Sequence, residues 1–141
     1  MTLSNSIPFI AGNWKMFKTN PEAVGLVSDL INGSEGLLEG AEIVVIPPFT
    51  ALYSVSVSME KSGIKLGGQN LHWEDEGAFT GEISAPMLKS VGCQFVVIGH
   101  SERRQYFGET NQTVNKKIKA ALKHNLTPIV CIGESKEQRQ E

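Results

Sequence analysis

Short, continuously apolar runs alternate along this chain with longer stretches of mixed polarity. Five of the runs are rich in β-branched residues and are bounded by Gly or Pro, which predicts strands. The predicted strands cover Ile7–Ala11, Ile43–Ile46, Ile64–Leu66, Phe95–Ile98 and Ile129–Ile132. Because these runs are apolar throughout rather than at every second position, they are typical of parallel strands that are buried on both faces.

The first helix is predicted from the residues that begin and end it. Asn20 is the expected N-cap, and Pro21 and Glu22 follow it in the first helical turn. Asn32-Gly33 is expected to end the helix, because glycine is common directly after the last helical turn.

Three further helices are predicted between the later strands. They cover Thr50–Lys61, about Ala85–Val91, and a fourth segment with Val114, Ile118 and Leu122 on one apolar stripe. The lysines of the fourth helix are expected to form its solvated face; they are Lys116, Lys117, Lys119 and Lys123. Ser135–Glu141 is expected to begin a fifth helix.

Alternating strands and helices predict parallel βαβ units, which suit either an open doubly wound sheet or a closed (β/α)8 barrel. The turn after the first strand, Gly12-Asn13-Trp14-Lys15, lacks the glycine-rich phosphate-binding pattern of the open sheet. The barrel is therefore favoured. A complete barrel needs about 250 residues. We expect residues 1–141 to form the N-terminal part of one barrel domain, with about five strands and four helices, ending near the start of the fifth helix.

Composition excludes several classes of function. The net charge is -2, and the Lys and Arg residues are spread among acidic residues, which argues against binding of nucleic acid. No apolar run approaches the length of about 20 residues that spans a bilayer, and no secretory signal is recognised, so a cytoplasmic location is expected. Cys93 and Cys131 are interpreted as reduced core residues. His72 and His124 lack neighbours at metal-ligand spacing and are expected to be packing or surface residues.

Polar side chains follow three of the predicted strands. They occur in Gly12-Asn13-Trp14-Lys15, in Gly99-His100-Ser101-Glu102-Arg103-Arg104, and in Gly133-Glu134. The carboxyl ends of parallel strands lie at one edge of a sheet, where α/β proteins place their active sites.

These motifs, in this order and spacing, resemble the triosephosphate isomerase family from about Pro8 to the end of the chain. The resemblance covers only the first part of that enzyme. It implies interconversion of dihydroxyacetone phosphate and glyceraldehyde 3-phosphate through an enediolate, in glycolysis and gluconeogenesis, without a cofactor or a metal.

The resemblance also implies roles for individual residues. His100 is the electrophile, and this family is the standard example of a neutral histidine in that role. Asn13 and Lys15 bind the substrate. Glu102 is the carboxylate that holds Lys15, although it could equally pair with the arginine beside it, Arg103 or Arg104.

The segment Gln69–Ser84 is too long for a simple turn between a strand and a helix. In the resembled family this loop protrudes into a partner subunit. The residue matching Thr80 then reaches the Asn13 and Lys15 region of that subunit, which implies a homodimer.

The catalytic base of the resembled family follows the sixth strand, which would lie beyond Glu141. We therefore expect the chain alone to be inactive, and Glu134 is not expected to replace the base. Two other readings stay open. One is a non-catalytic half-barrel that serves as an assembly module; the other, disfavoured by the joint presence of the motifs, is an isomerase of another sugar phosphate.

Overall fold

The computed structural model describes residues 7–34 and 40–140, and these residues contain one parallel sheet of five strands. The strands β1 to β5 are Phe9–Asn13, Glu42–Ile46, Lys65–Gly68, Phe95–Ile98 and Thr127–Val130. Each strand lies beside the one before it in the chain. A doubly wound sheet reverses its order at a switch point, whereas a barrel adds each strand next to the last. The order confirms the prediction of a (β/α)8 barrel, of which these are the first five strands.

Two of the predicted strands are displaced by two residues, because pairing with the neighbouring strand decides where each one ends. β1 extends to Asn13, which pairs with Ile46, and the next amide, of Trp14, still donates to the Ile46 carbonyl at 3.0 Å. In β5, Val130 pairs with Ile98, the last residue of β4. The apolar run Ile129–Ile132 thus extends past the end of its strand.

Five α-helices lie between the strands of the described residues: α1 Asn20–Gly33, α2 Leu52–Ser58, α3 Ala85–Ser90, α4 Ser101–Tyr106 and α5 Asn111–Lys123. A 3-10 turn, Phe49–Ala51, precedes α2, and a second one, Gln138–Gln140, lies where a fifth predicted helix was expected to begin. Glu141 lies outside the described residues. No helix in the described part of the chain is long and apolar enough to cross a bilayer.

The N-cap of α1 is Thr19 rather than the predicted Asn20. Thr19 is in the extended conformation, and its N–H donates to Glu22 Oε2 at 2.7 Å. Because the Glu22 carboxylate reaches back to Thr19, Asn20 is already helical and cannot act as the cap.

Helix α5 is rotated relative to the predicted apolar stripe. Val114 is buried as expected, but Leu122 is 57% exposed, and Lys117 is only 4% exposed. The prediction of a fully solvated lysine face is therefore wrong at Lys117. Its ammonium is buried because it has polar partners there, Glu109 and Asn70.

Both faces of the sheet are covered by apolar side chains. One face carries Val44, Ile46, Phe95 and Val97, with Ile129 and Cys131 against them. The opposite face contributes to the larger core between the sheet and the helices, which includes Cys93. Both thiols are free, and burial raises the pKa of Cys93 to about 12.

Within the described residues, β1 pairs only with β2, and β5 pairs only with β4. Phe9 is 44% exposed and Ile10 is 55% exposed on the first of these edges. Unpaired apolar edges recruit other chains. We therefore predict that the 141-residue chain associates or aggregates at micromolar concentration, as measured by light scattering at several concentrations. A monodisperse monomer with a cooperative melt would contradict the open-edged sheet.

Candidate active site

The turn that follows β4 requires a glycine. Gly99 has a φ of +72°, and a Cβ there would lie 2.9 Å from Val114 Cγ2. Only glycine adopts this conformation without strain and leaves that space to Val114. The turn leads directly into α4 and makes His100 the N-cap of that helix.

His100 is held by the backbone of α4. Its Nδ1 accepts a hydrogen bond from the Glu102 N–H at 3.2 Å. A backbone amide can only donate, so Nδ1 carries a lone pair, and the proton of the neutral ring is assigned to Nε2. The Glu102 Oε2 atom lies farther from Nδ1, at 3.4 Å. The geometry therefore leaves the Nε2–H of His100 as a donor.

Lys15 lies two residues after the end of β1 and has a φ of +53°, which is unusual for a residue with a side chain. Its N–H donates to Asn13 Oδ1 at 3.0 Å, and its Nζ bonds to Glu102 Oε1 at 2.7 Å. This hydrogen bond from Lys15 lowers the pKa of Glu102. Glu102 thus connects the residues after β1 to His100 after β4.

The two arginines of α4 bond to other acceptors. Arg103 Nε donates to Glu109 Oε1 at 2.6 Å, and Arg104 Nε donates to the Gly99 carbonyl at 3.0 Å. Glu102 is therefore available to Lys15, which was one of the two arrangements that the sequence left open.

Glu109 belongs to a buried ionic cluster behind the strand ends. Its carboxylate also accepts from Lys117 Nζ, which in turn donates to Asn70 Oδ1 at 2.8 Å. Burial raises the pKa of Glu109, but the hydrogen bonds from Lys117 and Arg103 outweigh it and lower the pKa overall. The cluster ties α4 and α5 to the residues that follow β3.

His100 lines an open cleft of about 890 Å³, together with Ser101, Arg104 and Glu134. Glu134 also pairs with Arg139 at 3.4 Å, and both side chains are exposed. Asn13 lines a second groove of about 820 Å³, with Met16 and Phe17. His100 and Asn13 thus face different hollows of this chain.

The long loop that contains Thr80 is held by ring stacking and by α5. The His72 ring lies 4.4 Å from the Phe79 ring and 4.2 Å from the Trp73 ring. On α5 and directly after it, Lys123 and His124 bond to Asp75 at 2.6 and 2.7 Å.

Thr80 itself is exposed and takes no part in the hydrogen bonds that join Lys15, Glu102 and His100. Hydrogen bonds therefore link Asn13, Lys15, Glu102 and His100 in series within one chain, although Asn13 and His100 line different hollows, and Thr80 lies outside that group. His72 stacks on Trp73 and Phe79, whereas His124 is hydrogen-bonded to Asp75.

Two polar residues near the site were not singled out in the sequence. Gln69 follows β3 and donates to the Lys15 carbonyl, and Lys117 supports the loop from within the core. The signal for Gln69 was its place three residues after the predicted strand Ile64–Leu66. The signal for Lys117 was its place three residues after Val114 and four before Ala121, which are both buried.

The chain matches the family model of triosephosphate isomerase over residues 8–141. It is 59% identical over 133 residues to the triosephosphate isomerase of Chloroflexus aurantiacus, which covers 94% of this chain and 53% of that protein. It is 58% identical over 130 residues to the enzyme of Trichodesmium erythraeum, covering 92% of this chain and 54% of that protein.

A solved structure, the triosephosphate isomerase of Bartonella henselae, superimposes with a TM-score of 0.87 at 41% sequence identity. The match covers 96% of this chain and 55% of that one. The chain thus spans about half the length of the relatives that it matches.

Proposed function

The chain belongs to the triosephosphate isomerase family, and we propose that it supplies the N-terminal part of an enzyme that interconverts dihydroxyacetone phosphate and D-glyceraldehyde 3-phosphate. The observation that carries the proposal is Glu102, which holds the Lys15 ammonium through its side chain and His100 through its amide. A cation and a neutral imidazole donor are thereby fixed at one edge of the sheet. The reaction needs both groups, because an enediolate and a phosphate are both anionic.

In this proposal, His100 Nε2–H donates to the substrate oxygen on which negative charge develops. A preorganised donor stabilises that charge more than it stabilises the neutral carbonyl. Because its Nδ1 accepts from the Glu102 N–H, the ring keeps its Nε2–H as the donor to the substrate.

Lys15 and Asn13 are proposed to bind the substrate. The Lys15 side chain is 46% exposed beside Glu102, so its ammonium can reach a bound anion without losing its carboxylate partner. Asn13 uses its Oδ1 atom to hold Lys15, which leaves its amide group as the donor.

We predict that Lys15→Met in the full-length enzyme weakens substrate binding and slows turnover, each by about tenfold or more, because a charge-assisted phosphate contact acts in both states. Steady-state kinetics and the affinity for glycerol 3-phosphate measure the two effects. Lys119→Met, on the outer surface of α5, is the matched control. Unchanged affinity for glycerol 3-phosphate in Lys15→Met would exclude Lys15 as the phosphate cation.

The full-length protein is proposed to be a homodimer. Met16 is 94% exposed and Phe17 is 68% exposed beside the groove that Asn13 lines, and Phe79 is 44% exposed on the loop with Thr80. Apolar side chains this exposed favour burial against a partner. The Thr80 loop of one subunit is proposed to reach the Asn13 and Lys15 region of the other.

A cytoplasmic location and a place in glycolysis and gluconeogenesis belong to the same proposal, since the family membership implies them. No cofactor is required by the chemistry proposed here, because a proton moves between adjacent carbons and no electron acceptor is consumed.

A further inference from the structure

Gln69 contacts the backbone at the ends of two neighbouring strands. Its Nε2 group donates to the Lys15 carbonyl at 2.8 Å and to the Ile46 carbonyl at 3.2 Å. Ile46 is the last residue of β2, and Lys15 follows the end of β1. One amide group thus joins Lys15 to the adjacent strand.

Lys15 needs such support because its φ of +53° is in the left-handed region. A residue with a Cβ stays in this region only where its surroundings hold it there. Both backbone groups of Lys15 are hydrogen-bonded: Asn13 accepts from its N–H, and Gln69 donates to its carbonyl.

The backbone at Gln69 is connected to the buried ionic cluster through the next residue. The next residue, Asn70, is 7% exposed and accepts a hydrogen bond from the buried Lys117. Lys117 shares the Glu109 carboxylate with Arg103, the neighbour of Glu102 in α4. Lys15 is therefore held through its backbone by Gln69 and through its ammonium by Glu102, and both supports rest on the same buried cluster.

We infer that Gln69 is a positioning residue that keeps the Lys15 backbone in the left-handed conformation from which its ammonium reaches Glu102 and the substrate anion. The inference rests on the proposed role of Lys15 as the substrate cation. Gln69 acts through Lys15, and its removal therefore has an effect only while Lys15 is present.

The test is a double-mutant cycle in the full-length enzyme, with affinity for glycerol 3-phosphate as the readout. Gln69→Met, which has a similar length but no donor, should weaken binding about tenfold, the effect of one or two lost hydrogen bonds. In the Lys15→Met background the same substitution should change the affinity by less than about twofold. Equal losses in both backgrounds would show a general structural role and overturn the inference.

Gln94→Met is the matched control, because Gln94 is an exposed glutamine at the opposite end of the sheet, directly before β4. Its affinity should equal that of the parent enzyme. Gln69→Asn, which keeps the amide but is one methylene shorter, gives the same comparison if the methionine variant does not fold.

A crystal structure of the Gln69 variant separates this inference from the proposed function. We expect Lys15 to leave the left-handed region and its Nζ to lose Glu102. If Lys15→Met alone leaves phosphate affinity unchanged, the proposed role of Lys15 fails, and the crystal structure still tests Gln69. A Lys15 that keeps its φ near +53° and its bond to Glu102 without the Gln69 amide overturns the inference.

Discussion

Purified alone, the 141-residue chain is expected to show no measurable isomerisation of glyceraldehyde 3-phosphate. It carries the proposed electrophile His100 and the proposed cation Lys15, but the catalytic base of the family follows a sixth strand. A positioned general base contributes about 10²–10⁴ to the rate. Substrate orientation and exclusion of water by the later loops contribute further factors.

Activity should return when the C-terminal part of the barrel is supplied as a separate fragment, because β1 and β5 each offer an unpaired edge to it within the described residues. The measurement is a coupled-enzyme rate on the purified chain with and without that fragment. The control is the same complement added to a chain with His100→Gln, which should stay inactive. Substantial turnover by the chain alone would show that a carboxylate within it acts as the base. Glu134, which lines the same cleft as His100, would then be the first residue to mutate.

In the full-length enzyme, His100→Gln should lower kcat by about 10²–10³ and change KM little. The Nε2–H of His100 is proposed to donate to charge that develops in the transition state, so its loss should affect turnover more than binding. Initial rates over a range of substrate concentrations give the two constants separately.

Lys119→Met is the control for that experiment. Lys119 is exposed on α5 and takes no part in the hydrogen bonds that join Lys15, Glu102 and His100. Its kcat should equal that of the parent enzyme. A kcat within a few-fold of the parent in His100→Gln would remove His100 from the mechanism.

The five strands and the residues after them could be predicted from the sequence because their signals are local. An apolar run between Gly or Pro residues predicts a buried strand wherever it lies in the chain. In the same way, Asn13, Lys15 and His100 could be placed at strand ends because each follows such a run within a few residues, whereas their roles came from the family resemblance. Glu102 was placed there with them, but the sequence left its ion-pair partner open between Lys15 and the adjacent arginines.

Only the tertiary structure decided which polar residues are buried and which atoms they contact. The spacing of Lys117 from Val114 and Ala121 places it on the buried side of α5, but spacing alone does not show that a charge is buried there. Lys117 is buried because Glu109 and Asn70, from other elements, supply the partners that offset the cost of burying a charge. Gln69 could be placed at a strand end, but nothing nearby in sequence shows that it bonds to Lys15, 54 residues earlier. Such contacts depend on strand register and helix rotation, and these are set by packing across the whole sheet rather than by neighbouring residues.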